Sequence, residues 1–498
     1  MERKVVVAGW GQVTQPKELN KTALDPMGLM TRAARKAADL MTSATVLTHL
    51  DGIMVVRTLS RHYASPAKQL AQTLGAAPKF THVSGIGGNS PQTLINIAAG
   101  MIARNQLDSI LIAGAEAYVQ RQTNTKKVES ALFRGIPKDY PGDDFIGSTL
   151  LENQHGIEHP LQGFPLFETA LWAASGMDLQ AYLMKIGTMW SSFSQTAKTH
   201  PYAWSKTMKT AEQIITPGPT NRPVAFPYTK FMNSFVTVDQ GAAVILMSEE
   251  TAKKYAPKNQ QPVYFLGGGY AEDRQRFMVQ KSDFTSSPPL KAAVEKALAR
   301  SGMPLESLDC FDLYSCFPCA VSIAKKMIGI TDDDPRPLTL TGGLGFFGGP
   351  GNNYSLHGVA TLAQKICTGE KSNGLVTALG WFMHKHAAGI YGSEPLTGEF
   401  KDYDVRDKKD SLAGNPPVKI KHQVNGPGTI ETYTVIYSMD QKPSYAVLYG
   451  KTRDNFRFIA RTKDHPDIFK LLITKSQVGQ PVALKFDVTQ NINIAELV

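Results

Sequence analysis

The stretch Gly85-Ile86-Gly87-Gly88-Asn89-Ser90-Pro91 runs into Gln92–Gln106 (QTLINIAAGMIARNQ), whose apolar residues recur at helical spacing. It then runs into Ser109–Ala117 (SILIAGAEA), an apolar run of strand length. The same order returns later. Thr341–Asn353 (TGGLGFFGGPGNN) precedes a helical pattern at Ser355–Glu370 (SLHGVATLAQKICTGE) and a strand pattern at Gly374–Trp381 (GLVTALGW). Gly87 and Ser109 are separated by nearly the same distance as Gly349 and Asn373. Two copies of glycine loop, helix and buried strand predict an internally duplicated α/β fold. Upstream, Val5–Val13 reads as a strand, Asp25–Met41 as a helix behind an Asp-Pro start, and Leu50–Thr58 as another strand. This alternation predicts a mostly parallel sheet.

Between the copies lies an insertion, about 119–235, rich in aromatic residues and histidine, including His155–Ala174 and Thr188–Trp204. Its spacing suits amphipathic helices, read either as a packing cap or as a pocket wall over the glycine loops. The expected boundaries are an N-terminal half over 1–275, a C-terminal half over 276–395 and a charged, turn-rich linker over 396–415. Beyond it, 416–498 alternates with period two and carries one helix at Pro466–Thr474, so a small antiparallel OB-like β-domain is expected there.

Composition excludes several classes. The chain has 498 residues, enough for about three domains; 42% are hydrophobic and 19% charged, which excludes a disordered chain. Four cysteines cannot form a disulfide framework in so long a chain, so a cytoplasmic, reducing location is expected. No apolar run reaches bilayer-spanning length, and Met1–Val13 does not read as a signal peptide. The net charge of +10 suits an anionic partner such as a phosphorylated cofactor, without the Lys/Arg blocks of a nucleic-acid tail.

A glycine loop entering a helix aims backbone N–H groups and the positive helix end at one point. Residues 85–91 have no Gly-Lys-Ser/Thr ending of a phosphate loop and do not match the dinucleotide fingerprint. Over roughly residues 1 to 395 the sequence instead resembles the thiolase superfamily. Gly87-Gly88-Asn89-Ser90-Pro91-Gln92 stands where that family has Cys-Gly-Ser-Gly-x-Gln, so Gly87 takes the place of the nucleophile. Thr339-Leu340-Thr341-Gly342-Gly343 leads to Gly348-Gly349-Pro350, with Gly349 where the resemblance puts the base His. Ala378-Leu379-Gly380 corresponds to the Cys-x-Gly loop, so Ala378 replaces the acid/base Cys. Tyr314-Ser315-Cys316-Phe317 stands for the Asn-Glu-Ala-Phe or His-Asp-Cys-Phe loop. Asp239–Ser248 and Phe164–Ala174 are similar to the branch near sterol-carrier-protein-type thiolases. With the added β-domain, the chain is identified as a member of the thiolase-like protein type 1 group. The resemblance implies an αβαβα layered core of two similar halves, and coenzyme A or acyl-CoA as substrate or ligand.

Acyl transfer through a covalent intermediate needs a nucleophile that can be acylated, and glycine offers none. The remaining donors are backbone N–H groups, so Gly87, Gly88, Asn89, Gly349, Gly380 and Ser315 are the expected oxyanion and pocket residues. Cys316 and His386 are the candidate replacement nucleophile and base. Cys316 and Cys319 also form a Cys-x-x-Cys, read as a redox pair or as buried cysteines. Cys310, Cys367 and the histidines lack zinc-ligand spacing, so no metal is expected. His384 is expected in a solvated turn and His357 in helix packing, while His155 and His159 stay unaimed. Asn89, Ser90, Asn352 and Asn353 read as helix N-caps.

Two functions follow. One is an acetyl-CoA acetyltransferase-type enzyme of lipid metabolism with altered chemistry on a CoA thioester. The other is a non-catalytic acyl-CoA-binding or scaffolding subunit partnering a true thiolase. No permanently bound cofactor, nucleic acid or membrane is expected, and the chain is expected as a monomer or homodimer. The β-domain is read in two ways: its basic stretch Lys451–Lys463 meets the CoA phosphates, or the domain covers apolar surface left open by a lost dimer interface.

Overall fold

Val5–Thr14 (β1) is buried along most of its length. Asp25 caps the helix that follows, Pro26–Ala38 (α1), by accepting from the Gly28 N–H at 2.9 Å. The computed structural model describes residues 3–16, 23–118, 147–257, 261–396 and 412–497. The first half continues through Gly52–Val55 (β2), Pro66–Leu74 (α2), Phe80–Val83 (β3), Ser90–Ala103 (α3) and Ser109–Ala117 (β4). The insertion holds helices Pro160–Ser175 (α4) and Leu179–Thr199 (α5), then short strands Pro223–Ala225 (β5) and Tyr228–Thr229 (β6). Asp239–Ser248 (β7) returns to the core sheet. Residues 119–146 of the insertion lie outside the described residues.

The second half repeats the plan with Tyr264–Asp273 (β8), Pro288–Ser301 (α6), Phe311–Asp312 (β9), Pro318–Ile328 (α7), Tyr354–Cys367 (α8), Asn373–Gly380 (β10) and Lys385–Gly392 (β11). The strand order is β3-β2-β4-β7-β1-β8-β11-β10-β9, two half-sheets mirrored about the Val6–Tyr264 pair. Pro337 and Leu338 accept from the Phe311 and Leu313 N–H groups, so this segment fills the place of β3 in the second half. β8 pairs antiparallel with β11, joining the strands of the second half.

The sheet is mixed rather than mostly parallel. β2 pairs parallel with β3 and β4, but β7 runs antiparallel to β1 and β4, and β11 to β8 and β10. The four-residue turn from β10 to β11 permits only an antiparallel pair.

α1 and α6 cover the outer faces, while α3 and α8 lie between the half-sheets and pack on strands of both. α3 is apolar on nearly every side for that reason: Leu94, Ile95, Ala98, Ala99 and Ile102 are all buried in the inner core with Leu356, Val359 and Val376. The αβαβα architecture is thus present, and it brings the N-termini of both central helices, with their glycine loops, to one end.

The β-domain is a closed five-stranded barrel formed by Gly426–Tyr437 (β13), Pro443–Thr452 (β14), Arg457–Thr462 (β15), Pro481–Asp487 (β16) and Ile492–Leu497 (β17). (Leu412–Ala413, β12, joins the core sheet beside β8.) Pro466–Thr474 (α9) lies between β15 and β16, an OB-like arrangement. Most of the linker, residues 397–411, lies outside the described residues. The barrel is stitched to the core: β5 adds to β13 through Ala225 and Ile436, and Thr434 Oγ1 donates to Phe226 O at 2.9 Å. Arg457, fully buried in the basic stretch, donates to Lys281 O at 2.8 Å and lies 2.8 Å from Glu431. That stretch is therefore turned partly into an interface instead of toward solvent.

Candidate functional site

Gly87 stands at φ +146°, a conformation that favours glycine, and its N–H donates to Asn352 Oδ1 at 2.9 Å. The Asn352 amide is oriented by its own donation to Arg57 O, also at 2.9 Å. The first glycine loop is thus tied to the second by a side chain from the 3-10 turn just ahead of α8. A β-carbon on Gly87 would lie 2.4 Å from Asn89 Oδ1, and one on Gly380 would lie 2.3 Å from the same oxygen. The Asn89 amide therefore occupies the space where side chains at Gly87 and Gly380 would project. Gly88 is equally constrained, since a β-carbon there would meet the buried Tyr314 hydroxyl at 2.0 Å.

The donors expected at this end are partly committed. The Gly87 N–H serves Asn352, the Gly349 N–H serves Phe235 O at 2.9 Å, and Ser315 Oγ accepts from the Leu344 N–H at 3.3 Å. A β-carbon on Gly349 would come no closer than 3.5 Å to its neighbours, so this position, unlike Gly87, accommodates a β-carbon. Ala378 lies buried on β10, paired with Ala387.

His386 and Cys316 each sit in surroundings of their own. Along β10 and β11, Gly380 pairs with Lys385 on the face toward Asn89, whereas Leu379 pairs with His386 on the opposite face. There His386 Nε2 lies 3.0 Å from the Ser287 hydroxyl ahead of α6. Burial pulls the His386 imidazolium down to about 3, so the ring is neutral at ordinary pH. Cys316 is buried, and burial pushes its thiol above the ordinary range, the reverse of what a nucleophile needs. Cys319 Sγ donates to Phe164 O at 3.6 Å, and neither cysteine is in a disulfide. Among the described residues, no cluster of His, Cys, Asp and Glu could hold a metal, and no helix is long and apolar enough to cross a membrane.

The other histidines are also internal. His384 is fully buried, not a solvated turn residue, and its turn neighbours Phe382 and Met383 are buried with it. His357 sits in the core with Nδ1 2.9 Å from Gln12 Oε1. His155 joins the insertion to the barrel: Nδ1 lies 2.8 Å from Leu151 O, and Nε2 accepts from the Asn493 N–H at 3.2 Å. His159 stands part-exposed ahead of α4.

The asparagines read as caps do other work. Asn89, Asn352 and Asn353 make no capping hydrogen bond; Asn353 donates to Gly114 O at 2.7 Å. Sequence reasoning missed this because one residue type serves both roles. The signal lay in adjacent glycines, which leave space that a neighbouring side chain must fill.

Residues 407–489 match the family described as the thiolase-like protein type 1 additional C-terminal domain. A crystal structure of a monomeric SCP2-thiolase like protein type 1 from Mycobacterium smegmatis is similar over 100% of both chains, at 30% identity and a TM-score of 0.84. The chain belongs to the thiolase-like protein type 1 family. More distant likenesses show the fold alone. The Ltp2-ChsH2(DUF35) aldolase is 17% identical, covering 78% of this chain and 98% of its own, with a TM-score of 0.62. Human mitochondrial 3-ketoacyl-CoA thiolase is 14% identical with the same coverage and a TM-score of 0.58. Among curated proteins nothing matches. In this thiolase-like protein type 1, then, the thiolase fold carries a glycine-and-amide arrangement at the end where α3 and α8 begin.

Proposed function

We propose that this thiolase-like protein type 1 binds CoA or its thioesters without forming an acyl-enzyme, acting as a non-catalytic acyl-CoA-binding protein and not as a thiolase. The observation that carries this reading is the Asn89 amide, seated between Gly87 and Gly380 in the space of the missing nucleophile. Neither proposed substitute compensates. His386 faces the other side of the sheet, and the Cys316 thiol is held protonated by burial. The alternative of altered catalysis through these two residues has less support for the same reasons. The chain is proposed as a cytoplasmic monomer, in line with the monomeric relative and with a barrel already engaged by its own insertion. Calorimetry with CoA and acetyl-CoA, run beside an acetoacetyl-CoA thiolysis assay, tests the reading. Saturable, salt-sensitive binding without turnover is expected. Turnover comparable to a working thiolase, or no binding at millimolar CoA, overturns it.

A further inference from the structure

Asn89 is only 5% exposed, and its Oδ1 has no hydrogen-bond donor among the described residues. The orientation of the amide is fixed by its neighbour. Thr93 Oγ1 donates to the Asn89 backbone carbonyl at 2.9 Å, which uses the hydroxyl proton. The hydroxyl can then only accept from the side chain, so Nδ2, at 3.4 Å, is the atom that faces it. Oδ1 therefore points the other way, into the gap between the Gly87 and Gly380 Cα atoms. A buried acceptor left without a donor is costly, and native interiors rarely keep one.

We propose that Asn89 is a specificity residue and that its Oδ1 accepts a hydrogen bond from the reactive end of the bound CoA species. The preferred ligand then carries a donor there, either the free S–H of CoA or a hydroxyl on the acyl chain. This inference rests on the CoA-binding reading above. Gly87 and Gly380 present no side chain to the oxygen, while the Tyr314 hydroxyl beside Gly88 and the Lys385 side chain beside Gly380 border it, so a ligand reaching it displaces these groups. Carbonyl-only acyl groups, such as acetyl and acetoacetyl, offer Oδ1 nothing but another acceptor and are disfavoured.

The test is calorimetric titration of the full chain with CoA, acetyl-CoA, acetoacetyl-CoA and 3-hydroxybutyryl-CoA, repeated on Asn89→Leu and Asn89→Ser. In the unmodified chain, CoA, 3-hydroxybutyryl-CoA or both bind about fivefold tighter than the two carbonyl-only thioesters, the worth of one net hydrogen bond. Preference for CoA alone names the thiol as the source, and preference for the hydroxyacyl species alone names the hydroxyl. Asn89→Leu removes the acceptor at similar volume and levels the series; Asn89→Ser, smaller and polar, serves if the leucine variant does not fold. If all four bind equally in the unmodified chain, or if the preference survives both substitutions, the inference falls while the binding reading stands. If none binds, both fall.

Discussion

Introducing the missing nucleophile should damage the fold before it creates a catalyst. Gly87→Cys places a β-carbon 2.4 Å from Asn89 Oδ1, on a backbone at φ +146°. The backbone conformation costs a side-chain residue about 1–3 kcal/mol, and the overpacking costs a similar amount. For a chain of 498 residues, a loss of about 3 kcal/mol corresponds to a fall in Tm of roughly 3 °C. Asn89→Ser alone should cost less, since it gives up one long hydrogen bond, at 3.4 Å, and an acceptor that has no donor. The two substitutions together should be less harmful than their sum by about 1–2 kcal/mol, because serine withdraws the oxygen that meets the new β-carbon. Thermal unfolding of the four proteins measures this cycle. A Gly87→Cys variant within 1 °C of the unmodified chain, or strictly additive effects, would refute the claim that Asn89 fills the nucleophile's space. Even the stable double variant should show little thiolysis, since Gly349 still supplies no base and such groups act as a unit.

Other consequences are open to simpler assays. Burial lowers His155 and His200 to about 4 and His357 and His386 to about 3, below the unfolded value near 6.5. Their contribution is full above the unfolded value and is lost as pH falls, at about 1.4 kcal/mol per pH unit for each residue. Urea midpoints should therefore drop steeply between pH 6.5 and 4, and a flat profile there would contradict the burial of these rings. Arg457→Ala removes the guanidinium from Glu431 and from the Lys281 carbonyl at the barrel–core interface, at a cost of about 3 kcal/mol. Limited proteolysis should then release the barrel faster, whereas unchanged cleavage would show that the interface does not depend on it. Glu168, buried and accepting from the Tyr182 and Tyr228 hydroxyls, is raised to about 7. Its stabilisation is present at low pH and lost as pH rises from about 4.5 to 7, so Glu168→Gln should abolish that component of the stability profile. Cys316 should resist iodoacetamide at pH 8 in the folded chain, and rapid labelling would overturn its assignment as a buried, protonated thiol.

The duplicated core was readable because α3 and α8 bury nearly every side and β4 and β10 are largely apolar runs of strand length. Such patterns arise only where elements are covered on both faces. The barrel was readable through period-two alternation in β13 to β17. What the sequence hid depends on long-range pairing. Nothing local to Pro223–Ala225 announces that Ala225 will pair with Ile436 in the barrel, or that Arg457 will turn inward onto Lys281. The site divides similarly. Substitutions at Gly87 and Gly349 are visible as letters, whereas the sheet register that sends His386 to one face and Lys385 to the other appears only once β10 and β11 are paired. Asn89 read as a cap because a cap is what asparagine most often is at that position.

Binding of CoA species by this thiolase fold without covalent chemistry is open to direct test. Its most direct measurement is intact-protein mass spectrometry after incubation with excess acetoacetyl-CoA, alongside calorimetry on the same sample. Saturable binding and an unchanged protein mass are expected. An acetyl or acetoacetyl adduct of one equivalent, mapped to Cys316 or to any other side chain, would contradict it.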